Sequence, residues 1–272
     1  MKEFKENFNL KDGRVHLEAL GLVVVAELIG KLSFSFFNGK LSFSLFPMLF
    51  ATAIGMILGG LKKFPKEDME TASPYISIAV MLLLIKLNVS IGQNWDLIKK
   101  GGLALVAQEF GNLGTCLFAM PVAIFCFKMG RAAIGASFSI SREPSIAVIS
   151  EKYGLEGPEG AGVLGGYVTG TVLGTLFYAI IPSLIAATGI FHPYSLGMAA
   201  GTGSASMMSA AMAAVVDLYP EMEEGIKTYA TASNALSNAD GVYMSVLIAI
   251  PWCEHMYKLF TKKQEAKKVT GK

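Results

Sequence analysis

Gly135-Ala-Ser-Phe-Ser-Ile-Ser-Arg-Glu-Pro-Ser145 and Gly201-Thr-Gly-Ser-Ala-Ser-Met-Met-Ser-Ala-Ala211 share a pattern. Each opens on Gly and has a Ser-rich centre. Further on, at the same offset, Ala147, Val148, Glu151 and Tyr153 lie over Ala213, Ala214, Asp217 and Tyr219. Gly, Ser and Pro144 at the centre of an apolar run suit an interrupted helix, and such backbone is tolerated at membrane depth where it faces protein or a water-filled cavity. If each run is a re-entrant hairpin, the helix between them carries the chain across, so the two enter from opposite faces. Inverted repeats with broken helices meeting near the midplane are a secondary-transporter design.

The composition around these stretches is that of a membrane protein. The chain has 272 residues, 53% hydrophobic and 16% charged, against about 25% charged in soluble domains. Mean hydropathy is +0.49. Apolar runs fall near 15–37, 41–61, 76–95, 101–127, 131–152, 160–190, 194–218 and 226–252, each close to the roughly 20 residues that a span needs. The expected fold is all-α and polytopic: six transmembrane helices plus two re-entrant hairpins related by an inverted repeat. The alternative is eight transmembrane helices. Residues 1–14 and 256–272 read as tails around one transmembrane domain, 15–255. Lys2, Lys5, Lys11 and Arg14, then Lys62, Lys63 and Lys66 in a 62–75 loop, then the lysines after 257 fall on one side. By the positive-inside rule both termini are cytoplasmic. Between the paired stretches Gly162, Gly166, Gly170 and Gly174 recur at every fourth position, one helical face that lets a neighbour approach closely.

A net charge of +2 gives no basis for nucleic-acid binding. Cys116, Cys126 and Cys253 have no metal or redox spacing and are expected to pack as small apolar residues. There is no Walker A sequence and no zinc-protease or serine-hydrolase motif. Gly201-Thr-Gly203 lacks the third Gly of a dinucleotide fingerprint. Neither an enzyme nor a cofactor is expected.

Seven ionisable residues sit inside apolar runs: Glu27, Lys31, Lys86, Glu109, Arg142, Glu143 and Asp240. Charges at membrane depth are costly and face protein or water. Glu27 and Lys31, four apart, can pair along one helix. Glu109, Asn112 and Thr115 form one polar stripe, with Pro121 able to kink the same helix. Asn234, Asn238 and Asp240 form another. Amides, hydroxyls and an acid suit a coupling ion, H⁺ or Na⁺; interhelical hydrogen bonding alone is the simpler alternative. Ser139, Ser141, Arg142 and Glu143 in the first stretch, with Gly203, Ser204 and Ser206 in the second, form the expected substrate site. The planar fork of Arg suits a carboxylate. Alternatively, Arg142 and Glu143 form a structural pair that needs no substrate.

Ser141-Arg-Glu-Pro-Ser145, Ala147-Val-Ile-Ser-Glu-Lys-Tyr-Gly154 and Gly111-Asn-Leu-Gly-Thr115 resemble the bacterial and archaeal membrane family catalogued as domain of unknown function 3100, over about residues 15–255. The resemblance implies a multi-pass protein of the cell membrane and transfers no site residue. More loosely, the layout is similar to elevator-type carriers with two opposed hairpins, an architectural analogy. The expected activity is H⁺- or Na⁺-coupled transport of a small anion or an amino acid through the lipid bilayer. A channel, a structural subunit and a membrane-embedded enzyme are the other readings. The oligomeric state is left open by the sequence; residues 15–61 are the natural surface for a homodimer.

Overall fold

The computed structural model describes residues 13–36, 41–137 and 142–270. The protein is all-α apart from one small hairpin. Helix α1 (Gly13–Ile29) leads into strands β1 (Leu32–Phe36) and β2 (Leu41–Leu45), then α2 (Pro47–Gly60), α3 (Lys66–Gln93), α4 (Trp95–Asn112) and α5 (Gly114–Phe125). Two short pairs follow: α6 (Ala132–Ser137) with α7 (Arg142–Tyr153), and, further on, α10 (Pro193–Ala200) with α11 (Ala205–Leu218). Between the pairs, α8 (Pro158–Thr169) continues through a π turn, Gly170–Gly174, into α9 (Thr175–Ala187). Helix α12 (Glu223–Met244) passes through a second π turn, Ser245–Ala249, into α13 (Ile250–Thr270).

Several apolar runs resolve differently from the sequence reading. The 15–37 and 41–61 runs are each part helix and part strand. The reason is local: Leu32-Ser-Phe-Ser-Phe36 and Leu41-Ser-Phe-Ser-Leu45 alternate with period two, and they pair antiparallel with Leu32 opposite Leu45 and Phe34 opposite Phe43. The expected 62–75 loop is mostly helix, because α3 starts at Lys66 with Glu67 and Asp68 in its first turn, where acids favour the helix dipole. The 101–127 run breaks at Leu113, not at Pro121, which sits inside α5. Helix starts follow simple chemistry. Proline occupies the first turn of α2, α8 and α10, where its missing N–H costs nothing. Gly154, at φ +76°, ends α7 in the left-handed region.

Among the described residues, one helical segment, Trp95–Phe125, is long and apolar enough to cross a membrane by length and composition. Pro47–Gly60, Thr175–Ala187 and Ala205–Leu218 are shorter apolar helices.

The core has two main centres. Cys116, Met120, Ile134, Ile149, Val163, Ile250 and Cys253 join α5, α6, α7, α8 and α13. Leu196, Met208, Ala211, Val215 and Ile226 join α10, α11 and α12, with Ala186 of α9. Cys116 and Cys253 therefore pack as the sequence suggested, whereas Cys126 is exposed.

Candidate functional site

The two helix–break–helix segments are placed by their ends. At the start of α6, Arg131 Nε donates to Glu159 Oε1 at 2.5 Å, and its guanidinium lies 5.6 Å from the Tyr257 ring centre. At the end of α7, Tyr153 Oη donates to Glu254 Oε1 at 2.5 Å, and Lys152 lies 3.6 Å from the same oxygen. Arg131 and Tyr153 are close enough to interact electrostatically. Both ends of the first segment thus return to one place, beside the start of α8. The second segment does the same at the far end of α9. Tyr194 at the start of α10, and Leu218 and Tyr219 at the end of α11, share one apolar cluster, and Tyr219 Oη donates to Ala186 O at 3.3 Å. Glu159 and Ala186 stand at opposite ends of the continuous α8–α9 helix. At about 1.5 Å of rise per residue, the two bases are about 40 Å apart.

A cavity of about 480 Å³ is lined by Ala136 near the end of α6 and Ser145 in the first turn of α7, and by Thr202, Gly203 and Met207 around the break between α10 and α11. Gly166 and Gly170 of α8 and its π turn, and Asn112 and Thr115 at the α4–α5 break, complete the wall. The glycine face makes this approach possible. A Cβ on Gly162 would stand 2.1 Å from Ala132 O, and one on Gly135 would stand 1.9 Å from Glu159 O. At the other end of the stripe, a Cβ on Gly174 would meet the Met207 methyl at 2.1 Å. The sequence reading of a closely packed glycine face holds at these positions; a Cβ on Gly166 would stand at ordinary contact distance, 3.6 Å from Ala136 O, and Gly166 and Gly170 line the cavity.

Behind the wall lies a buried carboxylate. Asn112 Nδ2 donates to Glu109 Oε2 at 2.8 Å and approaches Ser237 Oγ at 3.1 Å. Ser237 Oγ lies 2.9 and 3.0 Å from the two Glu109 oxygens. Glu109, Asn112 and Ser237 are all buried. Asp240, one turn beyond Ser237, is close enough to Glu109 to interact with it, and its Oδ1 is buried without a hydrogen-bond partner. Two acids therefore share one polar pocket between α4 and α12. Asn112 belongs both to this pocket and to the cavity wall.

The second break is held by α12. Asn234 Nδ2 donates to Gly201 O at 3.0 Å and to Gly203 O at 2.9 Å, satisfying carbonyls that the end of α10 leaves open. Asn238 Nδ2 donates to Asn234 O at 2.8 Å and approaches Asn234 Oδ1 at 3.1 Å, and its own side chain is exposed. Ser204 caps α11 by accepting from Met207 N at 3.4 Å, and it lies 3.1 Å from Ser206 Oγ. Tyr178 Oη and Thr202 Oγ1 are 3.1 Å apart across the cavity edge.

The expected site residues divide accordingly. Glu109, Asn112 and Asp240 come together, with Thr115 at the cavity wall, its hydroxyl donating to Asn112 O at 2.9 Å. Asn234 and Asn238 brace the second break rather than joining Glu109. Gly203 lines the cavity, with Ser204 and Ser206 beside it. Ser139 and Ser141 lie outside the described residues. Arg142 and Glu143 open α7, and Arg142 stands one turn before the cavity-lining Ser145; their side chains are outside the described part. Glu27 and Lys31 do not pair along α1. Lys31 instead bonds Asp217 at the end of α11, whose other oxygen accepts from Ser44 Oγ at 2.7 Å.

The sequence reading missed Ser237, the common partner of Glu109 and Asn112, and Ser233, whose hydroxyl lies 2.5 Å from Gln108 Oε1. The signal was present: Ser233 and Ser237 are four apart and interleave with Asn234 and Asn238, giving α12 a second polar row.

The chain belongs to the family described as "Protein of unknown function (DUF3100)", which it matches over residues 24–259. No curated protein and no solved structure matches it.

Proposed function

We propose that the chain is a multi-pass carrier of the bacterial or archaeal cell membrane that couples H⁺ or Na⁺ movement to transport of a small anionic or zwitterionic metabolite. The observation that carries this reading is the cavity shared by the α6–α7 and α10–α11 segments, with the acid pocket of Glu109 and Asp240 directly behind its wall.

The distribution of side chains supports a membrane setting. The outer surface carries Leu28 at 81% exposure, Leu103 at 86%, Phe118 at 79% and Leu247 at 70%. The interior holds Glu109, Asn112, Thr228, Thr231, Ser233, Asn234 and Ser237. Large apolar groups outside and polar groups inside suit a hydrocarbon solvent, where buried polar groups find partners within the protein. Helices α1, α2, α3, α4–α5, α8–α9 and α12–α13 then make six spans. The α6–α7 and α10–α11 segments are re-entrant hairpins, entering from the inside and the outside respectively, and both termini are cytoplasmic.

On this reading the planar guanidinium of Arg142, at the start of α7, receives a carboxylate. Ser139, Ser141 and Glu143 from the same stretch, and Gly203, Ser204 and Ser206 from the second, are the other residues assigned to the substrate. Glu109, with Asp240, takes the coupling ion. Asn112 links the two sites. Its amide donates to Glu109 while its residue lines the cavity, so a change in the charge of Glu109 alters the wall that the substrate meets. Asn234 and Asn238 act on the coupling site through the second break.

The test is thermal unfolding of the purified protein against carboxylates and amino acids, at matched ionic strength with and without Na⁺ and at several pH values. A substrate present at 100 times its Kd stabilises the state that binds it by about 2.7 kcal/mol. At least one compound should raise the melting temperature, and its effect should depend on Na⁺ or pH. Ion conductance in liposomes without any saturable substrate would overturn the carrier reading in favour of a channel.

A further inference from the structure

The second helix–break–helix segment, residues 193–218, carries a single charged side chain, Asp217, at the end of α11. Both oxygens of its carboxylate are taken by the strand hairpin. Lys31, directly before β1, pairs with Oδ1, and Ser44 of β2 donates to Oδ2 at 2.7 Å. Ser33, opposite Ser44 in the strand register, lies 3.0 Å from its hydroxyl. Nearer the cavity the same hairpin makes an apolar contact. Leu45, with Met48 and Leu49 of α2, packs with Ala179 of α9 and Ala210 of α11. Ala210 lies about one turn beyond the cavity-lining Met207, and from Met207 to Asp217 the helix rises about 15 Å. The hairpin thus holds α11 at two points, one close to the cavity and one at the helix end. It hangs between two turns of the chain. Gly30, at φ +71°, leads from α1 towards β1, and Phe46, in extended backbone, precedes Pro47 at the start of α2.

The first segment is held differently. The ion pair at its start runs to α8, from Arg131 to Glu159, and the Glu159 side chain is 7% exposed. The Lys31 and Asp217 side chains are 40% and 31% exposed. An ion pair open to water parts at modest cost, because both charges regain solvent; parting a buried one strands a charge without solvent or partner. Of the two segments, the second is the one built to be released.

On the carrier reading above, on which this step rests, the cavity opens in turn to each side of the membrane. We infer that the β1–β2 hairpin is a strap over the second segment and that the Lys31–Asp217 pair is its catch: the cavity opens to the outer face when the catch parts and α11 tilts away from the strap. A tilt about the cavity end of α11 moves Asp217 farther than Met207 or Ala210, so one motion takes the carboxylate from Lys31 and Ser44 together. Closure brings the same three groups back into register.

The experiment uses the full chain in right-side-out and inside-out membrane vesicles. The exposed Cys126 is replaced by Ala, and Thr202→Cys puts a thiol in the cavity wall. The probe is a charged, membrane-impermeant methanethiosulfonate, and the reading is the rate at which it labels that thiol from each side. Lys31→Asp and Asp217→Lys should each raise the outer-side rate about threefold or more. The double reversal Lys31→Asp/Asp217→Lys should return it to the parent rate. Ser44→Ala leaves the ion pair and should raise the rate less; it also serves should a reversal prevent folding. The buried Cys116 and Cys253, followed in the same variants with Thr202 intact, should stay unlabelled, which separates release of the strap from general loosening. Equal outer-side rates in the parent, the reversals and Ser44→Ala would overturn the strap while leaving the carrier reading in place. Faster labelling from both sides alike, newly labelled Cys116 or Cys253, or a folded double reversal that stays fast would make the pair a structural brace and overturn the inference too. A Thr202→Cys thiol that reacts from neither side in any variant would instead refute the water-reached cavity on which the carrier reading itself depends.

Discussion

Replacing Gly162 with Ala should loosen the contact on which the cavity is built. The added Cβ would stand 2.1 Å from Ala132 O and 2.9 Å from Ala136 N. Both neighbours are backbone, so no side chain can swing aside. A normal carbon–oxygen contact needs about 3.5 Å, so α6 and α8 must part by roughly an ångström or more. Forcing atoms into a packed site costs about 1–3 kcal/mol. Opposing this, Ala is favoured over Gly in a helix by about 0.8–1.0 kcal/mol. Gly165, on the same helix but with nothing within 4 Å of an added Cβ, isolates that second effect. Gly165→Ala should therefore be neutral or slightly stabilising, and Gly162→Ala should melt below it. At about 2–4 °C per kcal/mol for a chain of this order of size, the gap between the two variants should be about 2–12 °C. The assay is thermal unfolding in detergent, followed by substrate titration of each variant. Equal melting temperatures would refute the argument that backbone contact between α6 and α8 requires Gly at 162.

Glu109→Gln and Asp240→Asn keep shape while removing charge. In proteoliposomes one or both should abolish gradient-driven uptake in a folded protein, and unchanged ion dependence in both would remove the pair from the coupling mechanism. Arg142→Lys keeps charge but loses the planar fork, so carboxylate binding measured by calorimetry should weaken by about 1.5–3 kcal/mol, tenfold or more. Unaltered affinity, together with a large melting loss in Glu143→Gln, would instead favour a structural Arg142–Glu143 pair, whose broken form leaves a buried cation unpaired.

The all-α class was legible because the apolar runs are long. One interruption was legible too. Gly201-Thr-Gly203 falls where α10 ends and α11 begins, because Gly and Ser weaken a helix where they cluster; the Ser-rich stretch before Pro144 lies largely outside the described residues. What escaped was anything that averaging over a whole span erases. Leu32-Ser-Phe-Ser-Phe36 is as apolar as the helix before it, and only its period of two marks it as a strand; Asn38-Gly39 in the sequence between the strands was a further hairpin signal.

Local pairing rules then met long-range competition. Spacing offered Glu27 to Lys31, yet Lys31 bonds Asp217, far along the chain, and Ser44 on the strand hairpin completes that arrangement. Spacing also offered Glu109 to Asn112, and there the pair forms. The difference lies in where each helix faces. Glu109 and Asn112 sit on an inward face, and Ser237, the group they both meet there, reinforces their bond. Lys31 lies at the end of α1, where the chain turns and a second carboxylate comes within reach. A local pair survives folding when tertiary contacts add partners to it and is replaced when they offer a better one.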